Sequence, residues 1–259
     1  MLPFLYILAA KFFKMKGIKV LALFAALSAQ VAVANPAEEA DTSKAQSKDL
    51  SLSLEIKSRH AWRGGLTTRS WNMQPTIEYS GIKNLTLGAW GCYTINNEYA
   101  EVDLYAAYGL GPFCVTVYDY FNPTPSEDGD NHHFFNFDKN VTGHLIDATI
   151  DYTFGSIPLK LMASTIVYGA DLNDSGSNKY STYFEASYEH TLSSGQTISY
   201  FVGGTPHKSM YYNNANVVNL GFKVSQDVKI SSYTLPVNGS IVVNPARGNI
   251  YFIVGICPF

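Results

Sequence analysis

Residues 50–57 read Leu50-Ser51-Leu52-Ser53-Leu54-Glu55-Ile56-Lys57, so that every second side chain is apolar and the side chains between them are polar. Side chains alternate between two faces along a β-strand, and the stretch therefore predicts a strand with one apolar and one polar face. A soluble β-sandwich gives the same alternation, so this strand alone does not decide the environment.

The same alternation recurs along the chain and predicts about twelve strands. We place them near residues 50–60, 72–80, 85–95, 98–108, 113–121, 145–154, 159–168, 180–191, 196–204, 216–225, 230–243 and 249–258. Short turns alternate with longer connections, apart from the brief connection at Asn96-Asn97. Outer-membrane barrels have short periplasmic turns and long outer loops. The pattern predicts an all-β fold: a closed antiparallel transmembrane β-barrel of about twelve strands.

Three features depart from this pattern. Asp119 falls among the apolar positions of its strand, and we expect a bulge or an interfacial position there. Pro236 lies within a strand, which also predicts a bulge because proline cannot donate to the ladder. The last strand is apolar on both faces, so the sequence leaves its outward face open.

The beginning of the chain has the order of an export signal. Lys16 and Lys19 precede an apolar run over 20–33, and Ala32-Val33-Ala34 gives a small-residue cleavage site. We expect a signal peptide over 1–34, with Met15 as an alternative start, a flexible periplasmic lead-in over 35–48, and one barrel domain over 49–259 in the outer membrane.

Charge and cysteine content exclude some functions. Without the signal, 14 basic residues face 21 acidic ones, a formal charge of −7 that disfavours nucleic acid as a partner. Cys92, Cys114 and Cys257 have no metal-ligand spacing. The first two fall on strands separated by another strand, roughly 9.5 Å apart and beyond the reach of a disulfide, so we expect unpaired cysteines in the wall.

The polar face collects the candidate pore-lining residues. They are Lys57, Arg59, Arg63, Glu78, Glu101, Asp103, Tyr105, Tyr118, Asp147, Asp151, Lys160, Tyr183, Glu185, Glu189 and Lys223. Barrels of about 8 strands are filled by side chains, whereas those of about 16 hold a water channel, so twelve strands lie between the two limits.

We therefore expect a porin-like passive channel for small polar solutes, with membrane lipid as its surroundings and no cofactor, metal or catalytic residue. The terminal strand, ending at Phe259, is the expected contact for the barrel-assembly machinery. Two alternatives stay open. The inward acids and bases could pair and shut the lumen of a structural or adhesive barrel, or the chain could be an exported soluble β-protein that binds a ligand.

Two loops carry further candidates. Arg59 and Arg63, with Trp62 between them, could place a guanidinium at a constriction, or Arg63-Gly64-Gly65 could be a strand end and turn with Trp62 in the aromatic belt. The loop over 122–143 has several groups of the kind that bind metals but no fixed metal spacing: Glu127, Asp128, Asp130, His132 and His133. Its Phe134, Phe135 and Phe137 are expected to fold inward or pack on the rim.

Short motifs spread over the chain resemble those of a known protein family. They include Ser58-Arg59-His60-Ala61-Trp62-Arg63-Gly64-Gly65, Gln74-Pro75, Leu87-Gly88-Ala89-Trp90-Gly91, Asp103-Leu104-Tyr105 and Leu235-Pro236-Val237. In these stretches the chain resembles the porins of the TorF type, in a form like that of Bacteroidetes outer membranes. The resemblance implies an outer-membrane barrel with a transport function and no established solute, and it places Arg63 at the family's Arg-Gly position.

Overall fold

The computed structural model describes residues 49–122 and 133–259. The expected signal peptide and lead-in lie outside these residues, as do Glu127, Asp128, Asp130 and His132. The strands are β1 (Leu50–Lys57), β2 (His60–Trp62), β3 (Gly65–Thr68), β4 (Asn72–Ile82), β5 (Leu85–Thr94), β6 (Ala100–Leu110), β7 (Phe113–Phe121), β8 (His144–Thr153), β9 (Leu159–Gly169), β10 (Thr182–Thr191), β11 (Thr197–Thr205), β12 (Asn216–Ile230), β13 (Tyr233–Asn244) and β14 (Asn249–Ile256).

Twelve of these strands form a closed antiparallel barrel in the order β1-β14-β13-β12-β11-β10-β9-β8-β7-β6-β5-β4. The remaining two, β2 and β3, pair only with each other. The predicted fold is thus confirmed, and each of the twelve predicted strands overlaps one barrel strand. No helix in the described part of the chain is long and apolar enough to cross a membrane.

The two ends of the barrel differ in their connections. At one end, here called the turn end, the connections are short and use left-handed residues such as Asn84 (φ 63°) and Gly111 (φ 62°). The first barrel strand starts at this end and the last one finishes there. At the other end, the loop end, the connections are mostly longer, and one of them contains the β2–β3 hairpin.

The strand register separates an apolar outer face from a polar inner face, because directly paired residues point to the same side of a sheet. On the last strand, Ile250 and Phe252 pair with outward residues of β13 and are 68% and 63% exposed, whereas Ile253 is 6% exposed. The outward face of β14 is therefore its even-numbered face, which the sequence pattern left open.

Of the two explanations expected for Asp119, the structure shows the position at the rim and not the bulge. Asp119 lies on the outward face at the loop end, in regular register with Ile146, and its Oδ1 is 2.7 Å from Nδ1 of the buried His144. The Nε2 atom of His144 is 2.6 Å from the carbonyl oxygen of Phe134, and its ring stacks on Phe137 at 4.2 Å. Phe134 and Phe137 thus pack on the outer side of the rim, against the histidine that contacts the carboxylate.

The prediction of a bulge at Pro236 is wrong, because β12 and β13 keep their register through the pair Asp227 and Pro236. The carbonyl of Pro236 accepts a hydrogen bond from the amide of Cys257 at 2.9 Å, so this residue directs its backbone groups toward β14. Since a strand residue turns its N–H and C=O to the same side, the missing N–H removes no bond from the ladder with β12. The three cysteines are free, as predicted.

Candidate functional site

The β2–β3 hairpin turns into the barrel and crosses the lumen near the loop end. Its tip is a two-residue turn at Arg63 (φ 48°) and Gly64 (φ 79°), the left-handed pair typical of a type I′ turn. Nη1 of Arg63 donates to Oδ2 of Asp147 on β8 at 2.8 Å and to the hydroxyl of Tyr211. The shorter way around the wall from β1 to β8 is five strand steps in a barrel of twelve, so the guanidinium reaches almost the opposite wall.

Gly64 fixes the hairpin against the other side of the wall. A Cβ atom at this position would lie 1.8 Å from the carbonyl oxygen of Val218 on β12. Nδ2 of Asn244 on β13 donates to the carbonyl oxygen of Gly64 at 3.0 Å. Glycine supplies both the left-handed backbone and the close approach. The hairpin tip is therefore held at β8, β12 and β13 together.

The Arg63–Asp147 pair is buried, with 7% and 0% of the two side chains exposed. Thr149 donates to the second oxygen of Asp147 at 2.9 Å. The Arg63 guanidinium carbon lies 4.6 Å from the ring of Trp62 and 5.1 Å from that of Tyr183. Removing one partner from such a pair leaves an uncompensated buried charge, which makes this contact a strong clamp on the hairpin.

The position of Trp62 differs from the one expected for it in the aromatic belt. It is not a belt residue facing lipid, since its ring lies 5.4 Å from Tyr120 and 5.6 Å from Tyr211 on the inner side of the wall. Tyr211 belongs to the loop between β11 and β12 and is itself buried. The aromatic side chains here fill the lumen around the arginine.

His60 begins the hairpin and is largely covered by the same packing. Its Nδ1 accepts a hydrogen bond from Nε2 of Gln74 at 3.1 Å, and its ring lies 5.3 Å from that of Trp90. Burial, together with the nearby Lys57 ammonium, lowers the pKa of His60 to about 4. The imidazole is neutral at neutral pH and can serve as the acceptor.

Above the hairpin, toward the loop end, lies a cavity of about 470 Å³, here called the vestibule. Its lining includes Arg63, Arg69, Arg247 and Tyr251. Arg247 donates to the carbonyl oxygen of Tyr211 at 3.3 Å. The vestibule therefore has a cationic floor and rim above the buried Asp147.

Inward side chains differ in exposure along the barrel axis. Near the loop end, Asn72, Cys92, Asp147 and Tyr183 have no exposed surface. Nearer the turn end, the side chain of Lys160 is 50% exposed while its Nζ contacts Asp151 at 2.8 Å. The hairpin and its neighbours thus fill the loop-end half of the lumen, and the other half is open to water.

The pairing of the strands places most of the predicted pore-lining residues on the inner wall. One continuous row pairs Glu78 with Gly88, Tyr105, Tyr118 and Asp147 in turn. Fourteen of the expected residues lie on the lumen side, Arg63 through the hairpin and the others on strands: Lys57, Glu78, Glu101, Asp103, Tyr105, Tyr118, Asp147, Asp151, Lys160, Tyr183, Glu185, Glu189 and Lys223. Arg59 differs from the expectation, since it lies beyond β1 in a cavity shared with the outward Phe252 and Val254.

The structure also brings into the lumen residues that the sequence pattern does not single out. Glu55 contacts Lys57 at 2.7 Å and accepts from Asn238 at 2.9 Å, and its parity, shared with Lys57, is the signal that could have found it. Tyr211 carries no such signal, because it lies in a loop without periodicity. Among the described residues no group of three or more His, Cys, Asp or Glu side chains is placed to hold a metal ion.

Comparisons with known proteins give only distant likenesses. No protein-family model and no curated protein matches the chain. Among solved structures, a KdgM porin is similar with a TM-score of 0.44 and 9% identity, over 80% of this chain and 98% of that one. An outer membrane channel from Pseudomonas putida F1 gives a TM-score of 0.40 and 11% identity, over 86% of this chain and 98% of that one. At this distance neither carries an argument about this chain.

Proposed function

We propose that the chain is an outer-membrane β-barrel that acts as a narrow, porin-like passive channel for small polar solutes. The observation that carries the proposal is the distribution of charge between the two faces of the wall. On the barrel strands, the outward face has one Asp, Glu, Lys or Arg, which is Asp119. The inward face has nine acids and four bases: Glu55, Glu78, Glu101, Asp103, Asp147, Asp151, Glu185, Glu189, Asp227, Lys57, Lys160, Lys223 and Lys229.

The outer face supports the membrane location. Large apolar side chains such as Leu52, Ile77 and Phe252 lie exposed on neighbouring strands rather than scattered singly. A soluble protein rarely exposes a continuous apolar patch of this kind, whereas lipid requires one about 25 Å tall. The exported soluble ligand-binding protein is therefore the weaker alternative. Export through a signal peptide cleaved after Ala34 and assembly through the last strand, β14, with the terminal Phe259 belong to the same proposal.

The residues of the lumen support the channel proposal and limit the size of the solute. Its water-accessible half carries Lys160, Asp151 and Glu189, whereas the hairpin crosses its other half. A solute that passes this point must be small, or the hairpin must move. Counting Arg63 with the wall residues, nine acids face five bases, so cations are favoured over anions.

The finer relationship to the porins of the TorF type is also a proposal. Its support is that the longest shared motif, Ser58-Arg59-His60-Ala61-Trp62-Arg63-Gly64-Gly65, coincides with the inward hairpin and its approach. In that reading the Arg-Gly pair is the tip that clamps the hairpin to the opposite wall.

The test is single-channel recording of the purified full chain in planar bilayers. If the chain is a channel, the natural protein should give small discrete steps of current. A variant in which a short Gly-Ser linker replaces residues 60–68 should give steps several-fold larger. A non-conducting structural barrel, favoured by the buried loop-end half of the lumen, predicts no steps for the natural chain. Absence of steps for both proteins, when both are folded and inserted, contradicts a transport function.

A further inference from the structure

The barrel wall has a notch where β1 meets β14. The two strands pair at Ile56 with Ile256 and at Lys57 with Gly255, and the amide of Ser58 donates to the carbonyl of Val254 at 2.9 Å. Beyond Ser58 the chain leaves the wall to form the hairpin and returns at β4. The loop-end part of β14 pairs only with β13 in the described residues.

A cavity of about 440 Å³ occupies this notch. Its apolar wall comes from Ile95 and from Phe252 and Val254, which face outward from β14. Its polar side includes Arg59 and Arg69, with no carboxylate among the lining residues. The notch is therefore a cationic pocket that opens beside an apolar surface.

The two arginines sit at the base of the hairpin. Arg59 immediately precedes β2 and Arg69 immediately follows β3. Both are exposed, and in the described parts of the chain neither guanidinium has a carboxylate or hydrogen-bond partner. Arg69 also lines the vestibule, so it stands between the notch and the lumen.

The chemistry of the pocket selects one kind of occupant. Guanidinium groups bind phosphate oxygens through parallel charged hydrogen bonds, and two of them close together match one phosphate group. Trp71, half-exposed in the same lining, is the side chain typical of the membrane–water interface. The outward side chains of β14 continue from the pocket toward the turn end and offer an apolar track for an acyl chain.

We propose that the notch binds the phosphorylated headgroup of a lipid in the outer leaflet, held by Arg59 and Arg69. The proposal rests on the proposed membrane location, because it needs the loop end to face the outer leaflet. It does not rest on conduction. The lipid phosphate is fixed at the two stems of the hairpin and its acyl chain lies along β14.

Native mass spectrometry of the full chain, released from detergent, tests the site with dioleoyl phosphatidic acid as the probe. We expect the natural chain to retain one phosphatidic acid. The double variant Arg59→Gln with Arg69→Gln should retain it at least about tenfold more weakly, because charged hydrogen bonds are lost. The matched control, Lys179→Gln with Lys208→Gln, removes two loop charges outside the notch and should retain the lipid as the natural chain does. Circular dichroism confirms that both variants keep the barrel.

Two further arms separate the sources of the phosphate. Dioleoyl phosphatidylcholine, which has no net charge, should be retained weakly and equally by all variants. Inorganic phosphate in excess should not displace the phosphatidic acid, and displacement would show a site for free phosphate instead of a lipid. Equal retention of phosphatidic acid by the natural chain and the Arg59/Arg69 variant overturns the site while leaving the channel proposal intact, since single-channel steps report on that separately.

Discussion

Asp147 and Arg63 form the contact that holds the hairpin across the lumen. The Asp147→Ala variant leaves the buried guanidinium unpaired, which costs about 3–5 kcal/mol. The hairpin can relieve this cost by leaving its position in the lumen. We expect larger and noisier single-channel steps. Arg63→Met combined with Asp147→Leu removes both charges and should keep the hairpin docked with small steps. Identical conductance in the natural chain and the Asp147→Ala variant would show that this pair does not hold the hairpin in place.

Gly64 can be tested against a glycine of similar backbone conformation. In Gly64→Ala the methyl group meets the backbone of Val218, so the hairpin tip must shift, and we expect increased conductance. Gly176 has a φ of 73°, and a methyl group there would meet no described atom within 4 Å. Gly176→Ala therefore carries only the conformational penalty of about 1 kcal/mol. Planar-bilayer recordings of the two variants compare the steric effect directly, and equal conductance would contradict it.

His60 makes hairpin docking depend on pH. Its pKa is about 4 when docked and returns toward 6.5 when the hairpin is released into water. Because the docked state binds fewer protons, docking is fully stable above pH 6.5 and weakens by up to roughly 3 kcal/mol as the pH falls toward 4. We expect conductance to rise over this range. The His60→Gln variant should lose that part of the response, and an unchanged pH profile in the variant would assign the response to other groups.

At the scale of the strand, the sequence pattern predicts the wall well because alternation needs only neighbouring residues. Strands such as β6 and β8 have charges on one parity alone, and the lipid–water boundary leaves no other arrangement. The outward face of β14 is different, because both of its faces are apolar and only its register with β13 decides.

The hairpin could not be predicted in the same way. β2 and β3 have three and four residues, too short to show a period, and their position depends on Asp147, Val218 and Asn244, which are distant in sequence. The same limit applies to Tyr211, which lies in a loop. Arg63 is a candidate by its residue type alone, but its partner is defined only by the folded barrel.

Two neighbouring alanines on β6 test the assignment of the faces. Ala106 pairs with the outward residues Leu87 and Val117, and Ala107 pairs with the inward residues Thr86 and Thr116. Ala106→Lys places a charge toward lipid and should destabilise the inserted barrel by about 2–4 kcal/mol, whereas Ala107→Lys should change stability by about 1 kcal/mol or less. Urea titration of the protein in lipid vesicles measures both. The reverse order would exchange inside and outside.

For the whole molecule, the acidic excess in the lumen predicts a preference for cations. The reversal potential in a KCl gradient should show K⁺ favoured over Cl⁻, more strongly at low salt because screening is weaker there. Glu78→Gln with Glu189→Gln should reduce the preference, since both carboxylates face the lumen. Asp174→Asn, in a loop outside the barrel, is the control and should leave the reversal potential unchanged. An anion preference in the natural chain would contradict the charge argument.

The short ladder between β1 and β14 also bears on how the molecule is assembled. The first and last barrel strands meet at this seam, so the circle of strands is completed only when β14 is in position. The hairpin tip needs β8, β12 and β13 around it, and most of that ring of partners comes late in the chain. The hairpin tip can therefore gain its full set of contacts only after β13 has arrived, one strand before β14 closes the wall.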